Sequence, residues 1–138
     1  MVPPEEWGES LDVARSNGVG TIFLLAPTTP IKRMELISEV SEPFVYCVSK
    51  AGVTGTAEEL PKELTSFVTF VKEIVTKPLL VGFGISTPEH ARSVSRIADG
   101  VIIGSAIAAI IEKNLDSKEQ MLKTLGKFVS DARKAMDE

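Results

Sequence analysis

Four apolar runs of strand length, each followed by a helix-forming segment, constrain this chain more than any other feature. The clearest is Leu79-Leu80-Val81-Gly82-Phe83-Gly84-Ile85-Ser86-Thr87-Pro88-Glu89. It opens as an apolar run, breaks at two glycines and restarts as a helix at Pro88, whose missing N–H costs nothing in a first turn. Ser86 or Thr87 can cap that helix, and Ser86 with Glu89 has capping-box spacing. The reading is strand, glycine turn, helix start. Glycines at such a junction let a ligand reach bare backbone N–H groups, and the helix N-terminus behind them favours an anion. The stretch suits a tight βα turn without a ligand equally well.

In chain order, Val2-Pro3-Pro4-Glu5-Glu6 opens a helix that Leu11, Ala14 and Arg15 carry to a C-cap at Asn17-Gly18. Trp7 is expected to pack where that helix meets its neighbour. Thr21–Ala26 is the first strand, and Thr29-Pro30 starts a helix through Met34, Leu36 and Ile37. Phe44–Ser49 is the second strand, followed by the glycine-bearing loop Lys50–Thr56. Pro61 starts a helix with Leu64, Phe67, Val68, Val71, Ile74 and Val75 at three- and four-residue spacing. The third strand leads into a helix from Pro88 to about Ile97. It carries the lone histidine, His90, which is expected to be solvated rather than a metal ligand. Asp99–Ser105 is the fourth strand and runs into a short helix, Ala106–Lys113. Ser117 and Gln120 then open the last helix, with Met121, Leu122, Leu125, Phe128 and Val129 facing inward.

Strands alternating with helices predict parallel β-structure with right-handed crossovers. The strands are apolar at successive positions, so both faces are expected to be buried. Either helices cover both faces of a doubly wound sheet, or more barrel covers the inner one. At 138 residues the chain suits one domain. Its net charge of −4 argues against nucleic acid or anionic membrane as partners. Cys47 is the only cysteine, so no internal disulfide forms, and its apolar run predicts a buried, inert thiol. The longest apolar run falls short of a membrane span, and the N-terminal segment lacks signal-peptide shape. A cytoplasmic location is the expectation.

The strand–glycine pattern recurs. Three successive strands end beside Gly52 to Gly55, Gly82 to Gly84, and Gly104-Ser105. In (β/α)8 barrels, phosphate is often held by the loops after the last two strands and the N-terminus of a short extra helix. The short helix after Gly104-Ser105 suits that role, with backbone N–H groups and the Ser105 hydroxyl as donors.

On these residues the chain resembles the tryptophan synthase alpha chain family. The matching pieces are Val2-Pro3-Pro4-Glu5-Glu6, Ser49-Lys50-Ala51-Gly52-Val53-Thr54-Gly55, Gly82-Phe83-Gly84-Ile85-Ser86, Gly104-Ser105-Ala106-Ile107 and Ile110-Ile111-Glu112-Lys113-Asn114-Leu115. The resemblance implies an α/β fold, a parallel (β/α)4 half of a TIM (β/α)8 barrel with a short extra phosphate-binding helix after the last strand. It implies one domain over residues 1–138, the C-terminal half-barrel. The implied reaction is retro-aldol cleavage of indole-3-glycerol phosphate to indole and glyceraldehyde 3-phosphate. Gly55, Gly82, Phe83, Gly84, Gly104 and Ser105 would surround the phosphate; Tyr46 would lie near the reacting centre, and Thr54 on the loop that closes over substrate. No metal and no cofactor of its own are implied. Pyridoxal phosphate belongs to the family's beta chain, the expected partner that receives the indole.

The family's two catalytic carboxylates lie in the half that this chain does not match. Glu42, Glu58, Glu59 and Asp99 do not replace them by motif, so this chain alone is expected to carry no catalytic acid. The alternative is a non-catalytic phosphate-binding half-barrel that self-associates, and a third is another phosphosugar enzyme sharing these loops. Strands without a polar face, left open on one side, predict a homo-oligomer.

Overall fold

The computed structural model describes residues 3–48, 60–82 and 84–138. A 3-10 turn at Pro4–Glu6 leads into α1 (Gly8–Ser16). There follow β1 (Leu24–Leu25), α2 (Ile31–Val40), β2 (Val45–Val48), α3 (Lys62–Ile74), β3 (Leu79–Gly82), α4 (Pro88–Ser95), β4 (Gly100–Val101), α5 (Ser105–Lys113) and α6 (Lys118–Asp137). All strand pairs are parallel, and the sheet order is β1-β2-β3-β4. Each crossover therefore advances one strand in the same direction, with no reversal of order of the kind that gives a doubly wound sheet its switch point.

The outer strands are shorter than the apolar runs that make them, because each has a partner on one side only. Their ladders nevertheless extend further. The Tyr46 N–H donates to the Phe23 carbonyl at 3.1 Å, the Asp99 N–H to Leu79 at 3.0 Å and the Ile102 N–H to Val81 at 2.9 Å.

Side chains of register partners share a face. Leu25, Cys47, Val81 and Val101 lie on one face and Leu24, Tyr46, Leu80 and Gly100 on the other. The first face is dry: Leu25, Val45, Cys47, Leu79 and Val81 are at most 1% exposed. Helical residues Met34, Ile37, Leu64, Val68, Val71, Ala91 and Val94 complete that core. Trp7 meets Phe23 edge-on with ring centroids 5.7 Å apart, where the first helical segment joins the core. The second face is only half-covered at Leu24, Tyr46, Val48 and Leu80, and Ile22 is 38% exposed. Burial of both faces, expected from the apolar runs, holds for one face of this chain.

Two helix starts follow their capping chemistry. Thr87 caps α4, its Oγ1 accepting from the His90 N–H at 3.2 Å, and Ser117 caps α6 by accepting from the Gln120 N–H at 3.3 Å. Ser86 lies one position too early and instead faces the His90 ring. His90 is buried rather than solvated: only 5% of it is exposed, and Nδ1 lies 3.4 Å from the Ser86 hydroxyl. In the first turn of α4 the ring lies against Ser86 in the segment from β3, where the sequence alone suggested a solvent-facing position. Among the described residues no helix is long and apolar enough to cross a membrane.

Candidate functional site

In parallel α/β folds the C-terminal ends of the strands are where loops and helix N-termini converge. Here β2, β3 and the extension of β4 end around an open pocket of about 280 Å³, lined by Tyr46, Val48, Gly82, Gly84, Ile85, Ile102, Gly104 and Ser105. Five residues singled out from the sequence (Tyr46, Gly82, Gly84, Gly104 and Ser105) thus come together. Gly55, Phe83 and Thr54 lie outside the described residues.

Each glycine has its own reason. A Cβ on Gly82 would overlap the Tyr46 ring, so the missing side chain lets Tyr46 lie across β3. Gly84 has φ of 45°, the left-handed region that glycine enters without strain, and it turns the chain from β3 toward α4. A Cβ on Gly104 would meet nothing within 4 Å. That glycine borders open pocket, and the space beside it is free for a ligand.

The electrostatics come from backbone. Gly104 precedes α5, and its carbonyl accepts the first helical bond, from Ala108 at 3.1 Å. The N–H groups of Ser105, Ala106 and Ile107 therefore begin a helix with no preceding turn to bond to, and the Ser105 hydroxyl stands exposed beside them. Among the described residues neither lysine nor arginine lines the pocket, and the donors they offer are peptide N–H groups and hydroxyls.

No carboxylate lines the pocket among the described residues. Asp99 is at the other end of the sheet, where its Oδ2 accepts from the Leu79 N–H at 2.9 Å and its Oδ1 from Lys72 at 3.1 Å. Glu42 is also at that end, its N–H bonded to the Thr21 carbonyl ahead of β1. Glu58 and Glu59 lie outside the described residues. Cys47 follows Tyr46 and so points to the dry face, where burial pushes its thiol up to about 12. It is inert at neutral pH. Among the described residues no cluster of three or more His, Cys, Asp or Glu could hold a metal ion.

Sequence reasoning missed Val48, Ile85 and Ile102 as pocket walls. The signal was present in the alternation: Val48 is two residues from Tyr46, and two-residue steps along a strand return to the same face.

A one-way parallel α/β sheet with a glycine-lined pocket at its C-terminal rim defines the class of fold. The sequence profile described as tryptophan synthase alpha chain matches residues 1–137, and the chain belongs to that family. It is 39% identical over 140 residues to the tryptophan synthase alpha chain of Dehalococcoides mccartyi, with 99% of this chain and 53% of that protein covered. The Arabidopsis thaliana alpha chain is 43% identical over 136 residues, with 98% and 49% covered. Among solved structures, tryptophan synthase subunit alpha from Legionella pneumophila superposes with a TM-score of 0.84 at 36% identity, over 98% of this chain and 49% of that one. A tryptophan synthase α2β2 complex from Pyrococcus furiosus gives 0.79 at 36% identity, over 93% and 51%. The chain spans about half the length of the relatives it matches.

Proposed function

We propose that residues 1–138 form one domain, a (β/α)4 half of a TIM barrel, and that its rim is the phosphate subsite of a tryptophan synthase alpha-type lyase in tryptophan biosynthesis. The observation that carries this reading is the pocket between Gly82, Gly84 and the N-terminus of α5, walled by backbone donors and the Ser105 hydroxyl. A phosphate there accepts from the first-turn N–H groups of α5 and from Ser105, and the helix dipole favours its charge. Tyr46, Val48 and Ile102 extend the pocket down the open face of the sheet as an aromatic and aliphatic wall. That wall suits the planar indole end of indole-3-glycerol phosphate. Phe83 and Gly55 complete the phosphate shell in this reading, and Thr54 belongs to the closing loop.

Retro-aldol cleavage needs a base for the hydroxyl proton on the carbon that becomes the aldehyde, and an acid to return a proton to the departing carbon. Both must stand within hydrogen-bond reach of substrate. The described pocket walls hold no carboxylate, and by resemblance to the family the acids of the lyase reaction come from the half that this chain does not match. By family, the released indole passes to a pyridoxal-phosphate-dependent beta chain. The same lack of acids favours a second reading, a phosphate-binding half-barrel without chemistry of its own.

Calorimetry with glyceraldehyde 3-phosphate tests the subsite. Ser105→Ala is expected to weaken binding by roughly 1–2 kcal/mol, the scale of a hydrogen bond to a charged group. Unchanged affinity would remove Ser105 from the site. An indole-release assay separates the two readings: no turnover by the chain alone, and turnover once an N-terminal half-barrel is added, support the lyase. Binding without turnover in either case supports the second.

A further inference from the structure

His90 is 5% exposed and stands at the third position of α4, yet it is not among the walls of the rim pocket. A buried imidazole needs partners for its polar atoms. Here the ring turns back toward the segment that leads from β3. Its Nδ1 lies 3.5 Å from the Ser86 backbone nitrogen and 3.4 Å from the Ser86 hydroxyl. A backbone N–H can only donate, which assigns Nδ1 as the accepting nitrogen and puts the ring proton on Nε2. The Ser86 hydroxyl then donates to Nδ1 as well.

The start of the helix does not by itself ask for this contact. In a capping box the side chain at the third helical position reaches back to the N–H of the cap residue. The cap here is Thr87, whose Oγ1 accepts from the His90 N–H at 3.2 Å, so half of the box is present. The ring passes over the cap residue and takes the N–H of Ser86, one residue further back. Ser86 lies outside the helix, in the run that carries Gly84 and Ile85, both walls of the rim pocket. At the other end of that run, Gly82 is paired with Val48 in the sheet. The run is thus tied at Gly82 by the strand and at Ser86 by His90. The two pocket residues lie between the ties.

We propose that His90 is a positioning residue of the rim site: its ring holds the Ser86 N–H and hydroxyl, and so fixes where Gly84 and Ile85 meet a bound phosphate group. This rests on the reading of the rim as a phosphate subsite. Peptide donors and apolar walls recognise a ligand only while they are held in place, and a displacement on the order of 1 Å is costly. Histidine suits the position for two reasons. Its ring is planar and stiff, with only two side-chain torsions to fix. It also accepts a hydrogen bond without the negative charge that a glutamate at the same place would bring toward an anion.

Calorimetry with glyceraldehyde 3-phosphate tests the role in wild type, Ser105→Ala, His90→Leu and His90→Gln. His90→Leu refills the buried volume without an acceptor. It is expected to lower affinity by about tenfold, the scale of one lost hydrogen bond, while the urea midpoint moves little. His90→Gln offers an uncharged acceptor from the same position and should return affinity to within about threefold of wild type. His90 is the chain's only histidine, so nitrogen NMR of the imidazole reads it alone, and the Nε2–H tautomer is expected. If Ser105→Ala weakens binding and His90→Leu does not, the subsite stands and the role of His90 falls. Equal losses in the leucine and glutamine variants, an affinity loss matched by a falling urea midpoint, or a ring proton on Nδ1 would each overturn it too. No binding by the wild-type chain would overturn the subsite reading, and this proposal with it.

Discussion

The two faces of the sheet are made by alternate residues of the same four short strands, yet they differ in almost everything that matters. Leu25, Val45, Cys47, Leu79 and Val81 meet helices and are at most 1% exposed. Leu24, Tyr46, Val48 and Leu80, their immediate neighbours, are only half-buried. Composition does not separate the sets, since both are apolar. What separates them is that every crossover passes over the same face. The covered face holds the chain together; the other is half-exposed, and its C-terminal rim carries the pocket.

Leu79 and Leu80 are adjacent and chemically identical, so they offer the sharpest way to break this comparison. Leu79→Ala empties a site with no exposed surface. It is expected to cost about 2–5 kcal/mol in urea unfolding, the range for buried leucine truncations. Leu80→Ala removes a half-buried side chain, and in dilute protein about 1 kcal/mol is expected. Equal costs in dilute protein would mean that the two faces are not distinct.

The glycines divide the rim in the same way. Gly82→Ala drives a methyl group into the Tyr46 ring. Tyr46 must swing toward the open face, at about 1–3 kcal/mol for overpacking. Gly104→Ala meets open space at an ordinary negative φ, so the unfolding midpoint should stay in place. Phosphate-ester affinity should fall in both variants, because one moves a pocket wall and the other fills the pocket. Retained affinity in Gly104→Ala would place the ligand elsewhere.

Much of this was legible in the residues. The four apolar runs, the helix periodicity from Leu64 to Val75 and the Thr87-Pro88 and Ser117 helix starts each follow from local chemistry, and all appear in the fold. The convergence of Gly82, Gly84, Gly104 and Ser105 was readable because each follows a strand, and parallel strands end on one side. That helices on one side would leave the other face open was legible too, but which side chains fall on which face was not, because apolar runs like Leu79-Leu80-Val81 look the same on both. His90 misled for a related reason. Its position in the first turn of a helix says nothing of which way the helix faces, and the burial came from the loop folding over it. The pocket wall Val48 was within reach of the alternation from Tyr46, whereas Ile102 needed strand register, which pairing sets and composition does not.

The smallest effect contrasts the two ends of the strands. Among the described residues the C-terminal rim gathers backbone donors without a carboxylate, whereas the opposite end uses Asp99 to tie β4 to β3. Partial burial pushes the Asp99 carboxyl up, but the Leu79 N–H and then Lys72 outweigh it and hold the group below its ordinary 3.8. A carboxyl lowered in the folded chain adds stability that is complete above its unfolded value and drains away as pH falls through the folded one. The loss belongs below pH 3.8. It should be modest, since the Asp99 side chain is 43% exposed and water screens the Lys72 pair. Asp99→Asn keeps an acceptor for the Leu79 N–H and removes the titrating charge. Urea midpoints measured from neutral pH down to about pH 3 should therefore fall less steeply at the acid end in the variant. Parallel curves for the two proteins would show that Asp99 ties the strands by geometry alone, and that its charge contributes nothing to the end of the sheet away from the pocket.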